Sequence, residues 1–573
     1  MKAYYGELGK EVGDISFFLT DGTGGFFNFS PVSTIYTGLF SYFDDEYRIA
    51  ESIEVEGFNY GSISNYGGYA ELKGEIKQWL WMPFPNSLVC ELSEERLVRI
   101  FLDVKKAYDN RTWGRNYSCW NENGCLVAEF VKRKDAREDP ASGEEEFKVY
   151  IAIRGPAEIR DTWVRREYIS NTNEPLTERY VYLPAEFMAK KIAVAAAKTK
   201  EEAIQLAAAA INTLPHGSKS KQDSESGIAA SCAENSLSQL LAGEKIFAGL
   251  PWFFQAWTRD SAVSAKALML MGKQDIAKKI VFRLINEILP DGRVPNISEG
   301  NSEERSKGGI LGSADGVGWA FFRAGELELS ASERAFLIER LEKSITILRK
   351  TCEKDFLIEN KAQETWMDTL GGTDDVRAGF RIEIQALQLA MYKLAYRLTK
   401  NTEYKLLELK MRKRVRQVFW NGKILADGKG DWTARPNIFI AAYVYPQLLS
   451  KKDWEICFEN ALKQLWLSWG GIASISKRSG LFQKYYTGWN DKSYHRGDSW
   501  FWMNNLAAIV MKKVNAKKFS FQIKKILAAS TEEILWKGAL GCHAELSSAA
   551  KLESHGCLSQ AWSSAMYVEM VRG

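Results

Sequence analysis

Residues 382–398 read IEIQALQLAMYKLAYRL, and this stretch decides the fold class of the C-terminal part of the chain. Its apolar residues recur at the spacing of an α-helix. Other segments show the same spacing, with hardly any strand pattern between them: residues 260–272, 333–350, 403–419 and 560–571. If residues 232–573 hold six helical hairpins, each has about 57 residues, enough for two helices and a loop. A closed ring of such pairs would surround one central pocket, although no sequence repeat marks the pairs.

The first 190 residues carry a different pattern. Short segments rich in β-forming residues, at positions 96–104, 125–132 and 146–153, are separated by turn-forming residues. Their close spacing, with no helices between them, predicts an antiparallel β-sandwich. We therefore predict a β-sandwich domain at residues 1–190, a helical linker at residues 191–231 and a helical domain at residues 232–573.

The composition narrows the classes of function. The 573 residues include 76 basic and 72 acidic side chains, a bias too small to indicate a nucleic acid or a membrane surface as partner. No run approaches the roughly 20 apolar residues of a membrane span, and the first residues lack a signal-peptide pattern. Eight scattered cysteines favour a reducing cytoplasm. Nineteen tryptophans exceed the usual needs of a core, and sugar-binding clefts use such rings as flat platforms.

The stretch GLPWFFQAWTRD, residues 249–260, precedes a helix of small residues. One interpretation makes Asp260 a helix N-cap with Arg259 as its ion-pair partner. The other makes Trp257 a platform for a sugar ring, with Arg259 and Asp260 binding its hydroxyls.

Residues 363–387 place Asp368 directly after Trp366 and Met367. Apolar neighbours disfavour a charged carboxyl, so Asp368 is a candidate proton donor; a helix cap with apolar neighbours is the alternative. Glu383, at the start of the following helix, is either a substrate contact or simple compensation of the helix dipole.

Residues 486–502 are dense in rings and hydrogen-bond donors, and they contribute the candidates Tyr494, His495 and Asp498. A buried core histidine is the commoner outcome for His495. Asp498 is a further carboxylate that could act as a catalytic base.

Residues 541–562 contain the sequence His-Ala-Glu and a later cysteine, which suggests a zinc deaminase. That motif needs a Cys-x-x-Cys pair, and only Cys557 is present, so we predict no metal. Glu545 instead fits a carboxylate base.

Taken together, these stretches resemble the amylo-α-1,6-glucosidase half of glycogen-debranching enzymes (glycoside hydrolase family 133). PWFFQAWTRDS, the TWMD segment followed by EIQAL, RPN at 435–437, YHRG with a later tryptophan at 494–500, and GCLSQAW at 556–562 resemble that family's segments in order. The N-terminal stretch at residues 17–40 is similar to its opening signature, so the resemblance spans nearly the whole chain.

The resemblance implies a β-sandwich followed by an (α/α)6 barrel, and an inverting exo-acting α-glucosidase that needs no cofactor. In the family the general acid corresponds to Asp368 and the general base to Glu545. The resemblance and the local patterns together predict a substrate-binding set: Trp257, Arg259, Asp260, Trp366, Glu383, Tyr494, His495, Asp498, Gln560 and Trp562. The expected partner is an α-glucan or a malto-oligosaccharide.

The sequence also departs from the family. IYTGLF stands where the N-terminal signature usually has a histidine, and Asp498 is an unusual carboxylate beside His495. The length leaves no room for a transferase half, so a separate glucanotransferase or phosphorylase is expected to shorten the branches. Three alternatives remain: an inverting α-glucoside phosphorylase, another α-glucosidase or trehalase-like specificity, and a catalytically silent glucan-binding subunit.

Overall fold

The structure of the protein is a computed structural model that describes residues 4–7, 15–31, 33–134, 143–168, 177–217, 224–298, 311–369 and 377–573. The chain forms two compact units. The first comprises Met1–Gly243 with Ile534–Cys542, and the second comprises Glu244–Glu533 with His543–Gly573.

The first unit is built from antiparallel strands. Within the described residues they are β1 Tyr4–Glu7, β2 Phe17–Thr20, β3 Phe26–Phe29, β4 Gly38–Tyr42, β5 Glu46–Val55, β6 Tyr60–Asn65, β7 Tyr69–Gly74, β8 Lys77–Trp81, β9 Ser87–Lys106, β10 Arg115–Glu122, β11 Cys125–Arg133, β12 Glu145–Arg154, β13 Ala157–Tyr168 and β14 Thr177–Ala197.

Two long strands, β9 and β14, connect the layers of this unit. The first part of β9 pairs with β8 and its second part pairs with β5, while β14 pairs with β13, β9 and β12. One buried apolar cluster contains Leu19 and Leu39 from the β2–β5 branch together with Leu72 and Leu126 from the other strands. The core therefore lies between two antiparallel layers, which confirms the predicted sandwich.

The ends of this unit differ from the predicted boundaries. Strand β14 continues to Ala197, so the first residues of the predicted helical linker are strand. Its alanines favour helix intrinsically, but pairing with β12 and complete burial select the extended form.

The return of residues 534–542 to this unit has no signal in the sequence. There Leu540 is buried in the apolar cluster, and its N–H donates to Ser16 O (2.9 Å).

The helices are α1 Lys200–Ala210, α2 Glu225–Gln239, α3 Thr258–Leu270, α4 Gln274–Asn286, α5 Gly316–Ala324, α6 Ala331–Thr351, α7 Ile382–Thr399, α8 Thr402–Phe419, α9 Asn437–Val444, α10 Lys451–Leu465, α11 Phe501–Asn515, α12 Ser520–Trp536 and α13 Ala561–Arg572. The loops between the helices also contain short strands of two residues each, which pair into small ladders. Within the described residues they are β15 Leu241–Ala242, β16 Lys245–Ile246, β17 Gly249–Leu250, β18 Val294–Pro295, β19 Gly312–Ser313, β20 Glu353–Lys354, β21 Leu357–Ile358, β22 Ser499–Trp500, β23 Leu546–Ser547 and β24 Ser559–Gln560.

Six helices of the second unit close a ring. Helices α3, α5, α7, α9, α11 and α13 each pack against the next, and α13 packs against α3. Between them the chain returns through α4, α6, α8, α10 and α12, so the inner helices all run in one direction. This inner ring with its return helices confirms the predicted (α/α)6 barrel.

Inner helices and return helices differ in how much of their surface is buried. Helix α7 contains the stretch IEIQALQLAMYKLAYRL and buries 13 of its 18 residues, because an inner helix is surrounded by protein. Helix α8 buries five of its 18 residues, along one face only. No helix within the described ranges combines the length and the apolar character that a bilayer crossing requires.

Candidate active site

One pocket of the second unit collects residues from four distant stretches of the chain. Its lining consists of Ala248, Phe253, Trp257, Arg259, Asp260, Trp366, Asp368, Tyr494, Trp500, Glu545, Gln560 and Trp562. These residues come from the segments that lead into the inner helices α3, α7, α11 and α13, and from the first turns of α3 and α13. Since the inner helices are parallel, these ends meet at one end of the ring.

Two short antiparallel ladders hold the lining segments in register. Gly249 pairs with Gln560 in the β17–β24 ladder, and Trp500 pairs with Leu546 in the β22–β23 ladder. A Cβ at Gly249 would lie 2.8 Å from the backbone oxygen of Ser559 and 2.3 Å from Gln560 Oε1, so this approach of the two strands requires glycine.

Arg259 is the buried cation of the pocket. Its Nη2 donates to Asp368 Oδ2 (2.6 Å), and its Nη1 donates to the backbone oxygen of Thr365 (2.8 Å). The same guanidinium lies 3.6 Å from a carboxyl oxygen of Asp315. The structure thus excludes the capping interpretation: the N-cap of α3 is Trp257, and the recorded ion pairs of Arg259 are to other carboxylates.

Asp368 has the apolar neighbours that the sequence predicted, and a cation besides. Trp366 and Met367 are both buried, and Asp368 is 5% exposed in an irregular segment, not at the cap of a described helix. Contact with a guanidinium favours a negative charge, whereas apolar surroundings oppose it. The pairing with Arg259 was not predicted, because the two residues are 109 positions apart.

Glu545 is held by two donors. The Tyr494 hydroxyl donates to its Oε1, and the N–H of Cys557 donates to its Oε2 (3.0 Å). Hydrogen bonds of this kind stabilise an ionised carboxylate. The neighbouring Gly556 has φ +70°, and a Cβ there would lie 2.1 Å from Glu545 Oε2. The loop therefore encloses the carboxylate only because residue 556 has no side chain.

Asp260 is a carboxyl group that keeps its proton at neutral pH. Burial raises its pKa to about 8; the Arg259 charge opposes this rise, and the charge of Glu545 adds to it. Gln560 Nε2 donates to Asp260 Oδ1 (3.0 Å) and fixes the orientation of the group. The pocket thus contains a neutral carboxyl that can donate a hydrogen bond to a ligand.

The aromatic residues form a connected wall. The Trp366 ring meets the Trp500 ring edge-on, with centroids 5.4 Å apart, and Trp502 stacks on Trp562 at 4.7 Å. Trp366 Nε1 donates to Asn437 Oδ1 (2.6 Å), which anchors the indole at the start of α9. These contacts hold flat apolar surfaces in fixed positions beside the carboxyls.

Three predicted site residues lie outside the lining. Both carboxylate oxygens of Glu383 accept from Arg377 (2.8 and 3.2 Å), within a buried ion-pair network, so the structure gives Glu383 a structural place in the first turn of α7. His495 lies behind the wall, stacked on Trp500 at 5.0 Å, and its Nδ1 is 2.9 Å from Thr369 Oγ1.

Asp498 is the third residue outside the lining. Its side chain is fully buried, and Ser493 Oγ donates to its Oδ2 (2.6 Å). Burial raises its pKa to about 8; the hydrogen bond from Ser493 opposes this rise and the Glu545 charge adds to it. A base must be ionised, so Asp498 is poorly suited to that role below pH 8.

The pocket also includes three residues that we did not single out: Ala248, Phe253 and Trp500. Phe253 and Trp500 lie inside the aromatic stretches at residues 249–260 and 486–502. The density of aromatic residues in these stretches could therefore have predicted both as lining residues. Nothing in the sequence marks Ala248 as a lining residue. Its position in the pocket follows from the β17–β24 ladder, which begins at the next residue, Gly249.

The raised pKa of Asp498 predicts an effect on stability. The folded state binds a proton that the unfolded chain, with a carboxyl pKa of about 4, releases. The resulting stabilisation is complete below about pH 4 and is lost as the pH rises toward about 8, by about 1.4 kcal/mol per pH unit. An Asp498→Asn variant loses this dependence, so its thermal midpoint should rise relative to the wild-type midpoint between pH 5 and pH 7.

Scanning calorimetry at pH 5, 6 and 7 measures this difference. Glu201→Gln, at an exposed position of α1, is the control and should follow the wild type at each pH. A constant difference between Asp498→Asn and wild type across the three pH values contradicts the assignment.

Comparisons with known proteins place this pocket in context. The sequence profile described as amylo-alpha-1,6-glucosidase matches residues 234–569. A bacterial glucoamylase complexed with acarbose has a similar structure, with a TM-score of 0.62 at 13% identity, covering 100% of this chain and 97% of that chain. A GH63 mannosylglycerate hydrolase from Thermus thermophilus has a TM-score of 0.47 at 12% identity, covering 59% of this chain and 98% of that chain. A comparison with curated protein sequences found no match.

At 13% identity the glucoamylase likeness concerns the fold alone, and it covers both the β-sandwich and the helical ring. The family profile covers more than half of the chain and includes all twelve residues of the pocket lining. The chain therefore belongs to the amylo-alpha-1,6-glucosidase family and is a glycoside hydrolase.

Proposed function

We propose that the protein is an inverting, exo-acting α-glucosidase that removes terminal glucose, in particular α-1,6-linked stubs of a glycogen-like glucan. One observation carries the proposal: Asp368 and Glu545, 177 residues apart in the sequence, line the same pocket. Glycoside hydrolysis by inversion needs two carboxyl groups on opposite sides of the bond that is cleaved.

Asp368 acts as the general acid. Its Oδ2 accepts from Arg259, so the proton for the glycosidic oxygen is carried on the other carboxyl oxygen, Oδ1. Donation leaves a negative charge on Asp368, which the guanidinium is already positioned to stabilise. A donor fixed in advance at the site of a developing charge lowers the barrier without further reorganisation.

Glu545 acts as the general base. The hydrogen bonds from Tyr494 and from the N–H of Cys557 favour its ionised form and fix its direction. It removes a proton from the water that attacks the anomeric carbon on the face opposite the leaving group. In an inverting enzyme the two carboxyl groups stand about 6.5–9.5 Å apart, which leaves room for this water.

The remaining lining fits a single terminal sugar. The rings of Trp257, Trp366 and Trp562 offer apolar faces, and the neutral carboxyl of Asp260 with the amide of Gln560 can bind hydroxyls. The glucoamylase of similar fold was solved with acarbose, which supports an α-glucan substrate. A separate glucanotransferase or phosphorylase would shorten branches to the stubs.

Proton NMR of the products formed from an α-1,6-glucosyl dextrin tests the proposal as a whole. We expect free glucose that appears first as the β-anomer and then mutarotates. Release of the α-anomer would contradict inversion. Glucose release that requires phosphate, with a glucose phosphate as product, would identify a phosphorylase, and binding without turnover would identify a glucan-binding subunit.

Replacement of either catalytic carboxyl by its amide should remove most of the activity. For Asp368→Asn and Glu545→Gln we expect turnover to fall at least about 10²-fold, the usual contribution of one acid or base group. Asp498→Asn at pH 6 should keep turnover within a few-fold of wild type, since that residue lies outside the lining. Steady-state kinetics of glucose release measure all three, and a larger loss in Asp498→Asn than in Glu545→Gln would exchange the two assignments.

The glycine beside Glu545 provides a steric test. In Gly556→Ala the new Cβ must displace Glu545 Oε2, which lies 2.1 Å from its position, so we expect turnover to fall at least about tenfold. Gly272→Ala is the matched control, because Gly272 has a similar φ of +76° but open space around its Cβ. Equal turnover in the two variants would show that backbone strain, and not the position of Glu545, causes any loss.

A further inference from the structure

A second pocket lies in the β-sandwich unit, along strand β5. It has a volume of about 210 Å³ and is lined by residues of β3, the following loop, β5 and β6, among them Asn28, Phe29, Glu51, Glu54 and Tyr60. Pockets for drug-sized ligands usually measure ~300–1,000 Å³, so this one suits a smaller ligand.

The pairing of strands β5 and β9 is irregular at Glu51, which changes the direction of its side chain. Strand β5 pairs Ala50 with Leu102 and Ser52 with Phe101, so Glu51 is an extra residue in the ladder with β9. Such bulges commonly redirect a side chain toward a functional position.

Two buried acceptors in this lining have no hydrogen-bond donor among the described residues. They are Asn28 Oδ1, on a residue that is 5% exposed, and Glu51 Oε1, on a residue that is 1% exposed. The guanidinium of Arg48 does not satisfy this oxygen, because its Nη2 is 4.0 Å from Glu51 Oε1, beyond hydrogen-bonding distance. An unsatisfied buried acceptor costs about 1–3 kcal/mol, so the pocket favours a ligand that brings hydroxyl donors.

The charges in the lining are already compensated. Glu51 has Arg48 beside it, and the carboxylate of Glu54 accepts from Arg166. A cation is therefore not needed for neutrality, and two carboxylates disfavour an anion. The lining also includes an aromatic pair: the Phe29 and Tyr60 rings meet edge to face with centroids 5.7 Å apart.

We infer that this pocket binds one sugar ring of the α-glucan, as a second site separate from the catalytic pocket. The hydroxyls of the ring donate to Asn28 Oδ1 and Glu51 Oε1, and its apolar face packs on Tyr60. The identity of the sugar rests on the proposed function. A second point of attachment holds a polymer near the enzyme and raises the effective concentration of its chain ends.

Calorimetric titration with maltotriose tests the inference, in an Asp368→Asn background that prevents hydrolysis. We expect two binding sites. Tyr60→Ala, which removes the ring, and Ser30→Leu, which fills the half-buried edge of the pocket, should each weaken one site at least about tenfold and leave the other unchanged. Tyr180→Ala, at an exposed tyrosine of β14, is the matched control and should retain both sites.

Kinetics on active enzyme give a second readout. In Tyr60→Ala we expect the KM for a branched polymer to rise several-fold, with kcat for a disaccharide unchanged. A single maltotriose site that neither variant affects would overturn the inference and leave the proposed function intact. Absence of binding at both sites would overturn the inference together with the α-glucan assignment.

Discussion

The candidate active site depends on one buried cation, Arg259, that lies among several acidic groups. Asp260, Asp315, Asp368 and Glu545 are all buried, and among the ion pairs of the described residues only Arg259 offers this group an interior positive charge. It contacts Asp315 and Asp368, while burial raises the pKa of a third carboxyl, Asp260, to about 8. One guanidinium cannot balance four ionised carboxylates in a low-dielectric interior. Burial with so few cations raises the pKa of Asp260 and of Asp315 above the usual carboxyl range.

The helical ring explains why these groups meet. Because return helices separate the inner helices, all inner N-termini point to the same end of the ring. Backbone N–H groups at helix N-termini favour negative charge, so this end is suited to a cluster of carboxyl groups. The loops that precede the helices then deliver side chains to one place: Asp315 before α5, Asn437 at the start of α9 and Trp500 at the cap of α11. Side chains placed on such a rigid frame keep their geometry without a large reorganisation on binding.

Glycine has a specific use in this arrangement. Gly249 allows a strand to approach Gln560, and Gly556 leaves the volume that Glu545 occupies. In the β-sandwich unit a different device, the bulge at Glu51, redirects a carboxylate toward a pocket. At Gly556 and at Glu51 the backbone departs from regular structure, and the position of one carboxylate results from it.

The sequence by itself determined the classes of structure and the chemistry of the residues. Helical periodicity marked the ring and short β-rich segments marked the sandwich, since these patterns are local and need no tertiary partner. The dense aromatic and acidic stretches contained eleven of the twelve pocket residues, nine of which we predicted as site residues. Only the tertiary structure decided which acids share a pocket. It paired Arg259 with Asp368 instead of Asp260, moved Glu383 and Asp498 out of the lining, and turned the alanines before residue 197 into strand. These outcomes depend on contacts between segments far apart in the chain, and the protonation of a carboxyl depends on burial and neighbouring charge, which no local pattern contains.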